Sequence, residues 1–389
     1  MKLFIIPSWY PTQIHPESGS FFQDRAILIN QTKIEVHLIA SIQHSFLNMN
    51  KFRKMKKKSF ETVQGLSVFK NEMINIYPTF EKKAFYRFQK HLINHYNEVI
   101  QKIGRPDLVF FNSSLWSGCA LSEYLYKNQI PYMISEHLKE FLLPDGFSSF
   151  QYRKLDETYK NCASIIATST ELKKSIVRQF SCHSNKLCII PNPVDENIFS
   201  LKPEKEANNS ITIICIALFR PEKRLDVIIS AIYNLIKKGA NITLKIIGDG
   251  PLKSDIKKQI KSLKIIDNVQ LLGYLNQSEI IKQLHLSDML ILASEVETFG
   301  VVLVEAQMCG LPVVSTDCGG PRDIITKETG KIVKPKSINS LTVGINEIIE
   351  NLDKFSPERI REKTIAQFGA KAYKDSISKL IKKIMNSYL

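Results

Sequence analysis

Short apolar runs alternating with amphipathic stretches, a rhythm that runs its course and then starts again, constrain this chain more than any other feature. KLFIIPS (2–8), IEVHLIA (34–40), DLVFFNS (107–113), PYMISEH (131–137), SIIATST (164–170) and KLCIIPN (186–192) read as buried strands. Between them lie stretches with helical spacing. That alternation belongs to α/β domains built on parallel sheets. Residues 42–100 add a hairpin, FETVQGLSVFK (60–70), and a helical stretch, EKKAFYRFQKHLINHYNEVIQKIG (81–104).

The second half repeats the pattern. ITIICIALF (211–219), ITLKIIGDG (242–250), VQLLGYL (269–275), DMLILAS (288–294) and LPVVSTD (311–317) are strands. RLDVIISAIYNLIKKGA is a helix stopped at Gly239, and VVLVEAQMCG is one ending at Gly310. The polar SLKPEKEANNS (200–210) separates the halves as a linker. At 389 residues the chain exceeds what one core fills. The reading is two doubly wound Rossmann-like domains: 1–197, completed by a returning C-terminal helix at 370–389, and 198–369. A cleft between the carboxyl ends of their sheets is the expected ligand site.

The net charge of +15 points to an anionic partner: nucleic acid, acidic lipid or a phosphorylated small molecule. The basic residues are dispersed, without the interleaved aromatics of a nucleic-acid surface, so no nucleic acid is expected. The exception is KFRKMKKK (51–58), read as a solvated face or as a patch for a peripheral contact with an anionic membrane. Seven cysteines without a CxxC pair read as free thiols in a reducing compartment, not as disulfides or a zinc site. MKLFIIPSWYP lacks the features of a signal peptide, and no apolar stretch reaches about 20 residues. The expected location is cytoplasmic, at most peripheral on the inner face of the plasma membrane.

The chemistry concentrates in ASEVETFGVVLVEAQMCG (293–310), where Glu297 and Glu305 bracket an apolar run. A carboxylate there is costly unless something pairs with it. DMLILAS aims the loop SEVETFG at the cleft, and Gly300 opens a helix. Glu297 then sits at the mouth, with the Phe299 and Gly300 amides presented to oxyanions or hydroxyls. Glu305 follows about a turn and a half along the helix, where it can accept two hydrogen bonds from vicinal hydroxyls or pair with a base such as Lys223. LFRPEKRLD (218–226) brings Arg220, Lys223 and Arg224 to the same edge, a set suited to a diphosphate. Gly248 and Gly250 of GDGPL allow close backbone approach by a ligand. Arg322 and Asp323 of CGGPRDII read as a local pair or cap.

Taken together, E-TFGVVLV-E, AQMCGLPVVSTDCGGPRDII, IIGDGPL and PEK resemble the EX7E retaining glycosyltransferases of the GT-B fold, family 4 of the nucleotide-sugar-dependent enzymes. In the first half, SGSFFQDRAILI, RPDLVFFNS, IPYMISEH, ASIIATSTELKKSI and IIPNPVDENIF resemble the same family. The resemblance implies that Glu305 binds ribose, Lys223 the diphosphate, and Glu297 with the Phe299 and Gly300 amides the donor sugar. It sets His137 beside the transferred sugar and Gly19 near the diphosphate. The family often has Gly-Arg where this chain has Ala217-Leu218, and Arg220 is read as supplying the charge.

The implied activity is retaining transfer of a hexose or N-acetylhexosamine from a UDP- or GDP-sugar to a glycan acceptor, lipid-linked, in cell-surface polysaccharide, capsule or lipopolysaccharide synthesis. No Asp-x-Asp occurs, so no metal or other cofactor is expected. Trp9, Tyr10, His15 and Phe21 are candidate acceptor contacts. Two rival readings are a GT-B sugar-nucleotide epimerase, which would need no acceptor, and a non-catalytic nucleotide-sugar-binding protein.

Overall fold

The computed structural model describes residues 1–15, 18–46, 55–203 and 210–388. Residues 51–54 of the basic run and 204–209 of the expected linker lie outside them. The chain divides into two compact units. The first holds 1–168, 172–191 and 373–389, and the second 169–171 and 192–372.

The first unit is built from β1 (Lys2–Pro7), α1 (Ser20–Asn30), β2 (Glu35–Ser45), β3 (Lys58–Val63), β4 (Leu66–Asn75), α2 (Glu81–Ile103), β5 (Leu108–Asn112), α3 (Cys119–Lys127), β6 (Tyr132–Glu136), α4 (Ser149–Asn161), β7 (Ser164–Ala167), α5 (Thr170–Gln179) and β8 (Leu187–Ile189). Its sheet runs β3-β4-β2-β1-β5-β6-β7-β8, parallel except for β3, which pairs antiparallel with β4. The hairpin turns at Gln64 and Gly65, both at positive φ, as a two-residue turn matched to strand twist requires. Order reverses between β1 and β5, so the loops after these two strands diverge and leave a crevice at their carboxyl ends.

The second unit contains β9 (Ile211–Ile216), α6 (Leu225–Lys237), β10 (Ile242–Ile247), α7 (Lys253–Ser262), β11 (Val269–Gly273), α8 (Gln277–His285), β12 (Met289–Leu292), α9 (Val301–Met308), β13 (Val313–Thr316), α10 (Pro321–Ile324), β14 (Gly330–Val333), α11 (Ile338–Ile349) and α12 (Pro357–Phe368). All six strands are parallel, in the order β11-β10-β9-β12-β13-β14, with the reversal between β9 and β12. Successive residues of β9 face opposite layers. Ile213 packs with α6 and α11, whereas Ile214 packs with α9 and Phe368. Strands covered on both faces carry no polar side, hence the continuous apolar runs.

Two features differ from the sequence reading, the borders of the units and an added strand. The chain changes units after 191 and after 372, where the sequence set the borders at 197/198 and 369/370. Val194 and Phe199 already lie in the second unit's core, and the Val194 amide donates to Phe368 O at 3.0 Å. The C-terminal helix is α13 (Ala370–Asn386), set off from α12 by the extended Gly369. Strand β14 was not read from the sequence at all, since four residues carry too little periodicity to stand out.

Candidate active site

In the second unit the loops after β9 and β12 meet at the point where strand order reverses. A pocket of about 300 Å³ opens there, lined among others by Leu218, Lys223, Gly248, Tyr274, Glu297 and Gly300. Its walls are mostly apolar, from Ile216, Ile247, Leu275, Val301 and Val302. Polar groups are therefore few and their positions decide what binds.

Lys223 ends a short turn, Pro221–Lys223, and its Nζ is bound to Glu297 Oε1. The Ser294 hydroxyl donates to the same oxygen at 2.8 Å. Sequence reasoning offered Lys223 as a partner for Glu305; the structure pairs it with Glu297 instead. Lys223 and Glu297 stand in loops that follow adjacent strands, so they leave the sheet side by side. Ser294 was missed, because a serine at a strand end has no distinguishing pattern.

The loop after β12 is held on its far side too. The Glu297 amide donates to Cys318 O and the Gly320 amide to Glu297 O, both at 2.9 Å. A Cβ on Gly320 would lie 2.3 Å from Phe299 Cα, so only glycine lets the two loops close. Gly300 takes a φ of 103° and starts α9. The Phe299 ring is buried, edge-on to Phe368. Val304 is core, but Val301 and Val302 line the pocket rather than serving packing alone. Half-buried Glu305 lies one turn beyond them on the same helix face.

The glycines of GDGPL are required by the packing around them. A Cβ on Gly248 would stand 2.0 Å from Ala217 O, and one on Gly250 2.7 Å from Phe219 O. The close approach is to the loop after β9, and Gly248 also lines the pocket. Arg220 is exposed and is not among the residues lining this pocket, whereas Leu218 is. Arg322 pairs with Asp317 through Nε and Nη2, the latter at 2.8 Å, rather than with Asp323.

In the first unit His137 follows β6. Its Nε2 lies 2.7 Å from Arg25 Nη1 and 3.0 Å from Ser135 Oγ. Burial, and then the Arg25 charge, push its pKa well below the usual histidine value. A guanidinium only donates, so Nε2 accepts and the proton of the neutral ring is on Nδ1. Arg25 itself is buried, with Nε 3.0 Å from the Tyr373 hydroxyl. A charge within the apolar helix SFFQDRAILI was the available signal for it.

Gly19, at φ 74°, has Trp9 against it: a Cβ would lie 2.7 Å from the indole, which explains the glycine locally. Trp9 tilts on Phe22 at 5.1 Å, Phe21 lies 5.4 Å from His137, and His15 stacks on His44 at 6.3 Å. These three are partly exposed. Tyr10 is not: at 1% exposure, with its hydroxyl bound to Gln23, it is a core residue and no acceptor contact.

Two parallel, doubly wound units, the second with a Lys–Glu pair and a helix start at its strand-order reversal, define a GT-B glycosyltransferase. Residues 197–367 match the family described as Glycosyl transferases group 1, and 56–198 match Glycosyltransferase Family 4; the chain belongs to these glycosyltransferases. It is similar to the phosphatidylinositol N-acetylglucosaminyltransferase gpi3 subunit of Schizosaccharomyces pombe, at 25% identity over 55% of this chain and 47% of that protein. Similarity to the N-acetyl-alpha-D-glucosaminyl L-malate synthase of Bacillus anthracis is 31% over 46% of this chain and 48% of that one. The chain thus spans about half the length of these curated relatives. The fold matches Anabaena HepE in complex with UDP, with a TM-score of 0.74 and 17% identity over 98% of this chain and 100% of that one.

Proposed function

We propose that the protein transfers a hexose or N-acetylhexosamine from a UDP- or GDP-sugar to a lipid-linked glycan acceptor with retention, in synthesis of a cell-surface polysaccharide, capsule or lipopolysaccharide. The observation that carries the reading is the Lys223–Glu297 pair at the mouth of an otherwise apolar pocket, beside the start of α9. A nucleotide sugar needs a cation for its diphosphate, a carboxylate for sugar hydroxyls and apolar walls for the base. UDP is the favoured nucleotide, on the strength of the UDP named with the Anabaena fold and the N-acetylglucosaminyl transfer named for both relatives.

In this reading Lys223 and the α9 amides take the charge that develops on the departing diphosphate, in place of a metal. Glu297 accepts from the sugar hydroxyls and Glu305 from the ribose. The bond from the anomeric carbon to the phosphate oxygen breaks as the acceptor oxygen bonds to that carbon, and the acceptor's proton passes to the departing oxygen. His137, neutral, donates from Nδ1 to a sugar hydroxyl; it is not an acid catalyst, because its ring does not hold a second proton at neutral pH.

A peripheral contact with an anionic membrane belongs to the same proposal. Its support is the exposed Phe46, Ile76 and Phe80 near the ends of β2 and β4 and the start of α2, with Lys82, Lys83 and the described part of the basic run, 55–58. Among the described residues no helix is long and apolar enough to cross a membrane.

The test is incubation with a panel of radiolabelled UDP- and GDP-sugars, membrane lipid extract and EDTA. Label in the lipid fraction is the expected result. Free nucleotide without a glycosylated product from any extract would sink the proposal, and epimerised nucleotide sugar would replace it.

A further inference from the structure

Among the described residues, six other than glycine have a positive φ, and two of these, Arg224 at 48° and Lys336 at 58°, reach the same carboxylate. Arg224 Nη1 lies 2.7 Å from Glu295 Oε1, and Lys336 Nζ 3.3 Å from Glu295 Oε2. Arg224 also takes Asp226 with a fork, Nε to Oδ1 at 3.0 Å and Nη2 to Oδ2 at 2.8 Å. A left-handed conformation is strained for a residue that carries a side chain, and persists only where the surroundings over-determine it. Two such residues converging on one glutamate mark a built cluster.

Its place in the fold indicates what it does. Arg224 follows Lys223 directly, and Glu295 stands two residues before Glu297. Lys336 comes from the loop after β14. Between the first two loops the Glu295 amide also donates to Glu222 O at 2.8 Å. The loops that carry Lys223 and Glu297 are thus joined twice through Glu295, by its amide to Glu222 O and by its carboxylate to Arg224. Glu295 is held ionised: its pKa is lowered, chiefly by the bond to Arg224, with Lys336 adding to it.

We propose that Glu295 and Arg224 form a clamp that positions Lys223 and Glu297 for glycosyl transfer, a proposal that rests on the function given above. Neither clamp residue lines the pocket. They act through the two residues that do.

Arg224→Gly separates this role from plain stability. Glycine relieves the left-handed backbone while deleting the guanidinium, so the unfolding midpoint stays level or rises. The clamp predicts that kcat falls tenfold or more, because small displacements of reacting groups cost one to two orders of magnitude. Glu295→Gln should lower kcat similarly, with KM for the donor changed less than threefold. Arg224→Lys, which keeps a cation for Glu295, should recover at least a third of the wild-type rate. An Arg224→Gly enzyme with kcat within twofold of wild type overturns the clamp.

A second arm is independent of catalysis. The coupling between Lys223 and Glu297, taken from midpoint shifts of Lys223→Met, Glu297→Gln and the double variant, should at least halve in the Arg224→Gly background. If wild type transfers no sugar, the proposed function fails and this arm alone decides the clamp, with undiminished coupling overturning it.

Discussion

Glu297→Gln should tighten UDP binding and slow transfer, two effects of opposite sign from one substitution. Lys223 is held by Glu297 Oε1, whose other partner is the Ser294 hydroxyl at 2.8 Å. A diphosphate must therefore draw the lysine away from this carboxylate. The two side chains are 22% and 14% exposed, between a surface pair and a buried one. Surface pairs contribute about 0–1 kcal/mol, while losing one partner of a fully buried pair costs about 3–5 kcal/mol. Discounted for screening, about 1 kcal/mol is the appropriate scale, roughly fivefold in affinity. Glutamine keeps the shape and the Ser294 bond but releases the lysine, so the Kd for UDP, by titration calorimetry, should fall about fivefold. Lys223→Met should act the other way. It deletes charge-assisted bonds worth about 1.5–3 kcal/mol, offset by the pair that no longer needs breaking, which leaves UDP roughly tenfold weaker. Turnover falls in both variants. A folded Glu297→Gln protein that binds UDP more weakly than wild type refutes the idea that the carboxylate holds the lysine in reserve.

Glu305→Ala should raise the Kd for UDP about 30-fold, from the loss of about 2 kcal/mol of charge-assisted ribose bonds; unchanged affinity in the folded variant removes that role. Gly248→Ala puts a Cβ 2.0 Å from Ala217 O at a φ of 135°, and should destabilise the second unit by on the order of 3 kcal/mol in urea unfolding. A wild-type midpoint would mean that the two loops yield. His95 is buried, with Nδ1 2.8 Å from the Ser41 hydroxyl, and burial lowers its pKa to about 4. The unfolded chain takes that proton near pH 6.5, so the stability His95 contributes should be intact above this value and fall by up to about 3 kcal/mol toward pH 4. His95→Gln should flatten that part of the acid-unfolding curve; an unaltered curve would show that another group sets it.

Much of the site was legible because its chemistry is local in the chain. Glu297, Gly300 and Glu305 fall within nine residues, and a strand, loop and helix of that length can be read from periodicity alone. The partner of each charge was not legible. Lys223 and Glu297 are 74 positions apart, and which carboxylate receives the lysine depends on which strands neighbour β9. The same holds for Glu295, which had no feature in the sequence beyond being a second acid in SEVETFG. Its importance comes from Arg224 and Lys336, brought to it by two other loops. Tyr10 failed for the converse reason: an aromatic-rich stretch names residue types, but not which side chain faces the ligand.

The sequence by itself determined the α/β class, the doubling of the pattern and the loop that carries the two glutamates, because these follow from the period of apolar residues and from turn chemistry. Only the tertiary structure decided that Lys223 is occupied by Glu297, that the GDG glycines close on Ala217 and Phe219, and that His137 is kept neutral by burial and then by the Arg25 charge. Each of these is a contact between segments distant in the chain. Such contacts depend on strand order and on burial, quantities that no short stretch of sequence contains.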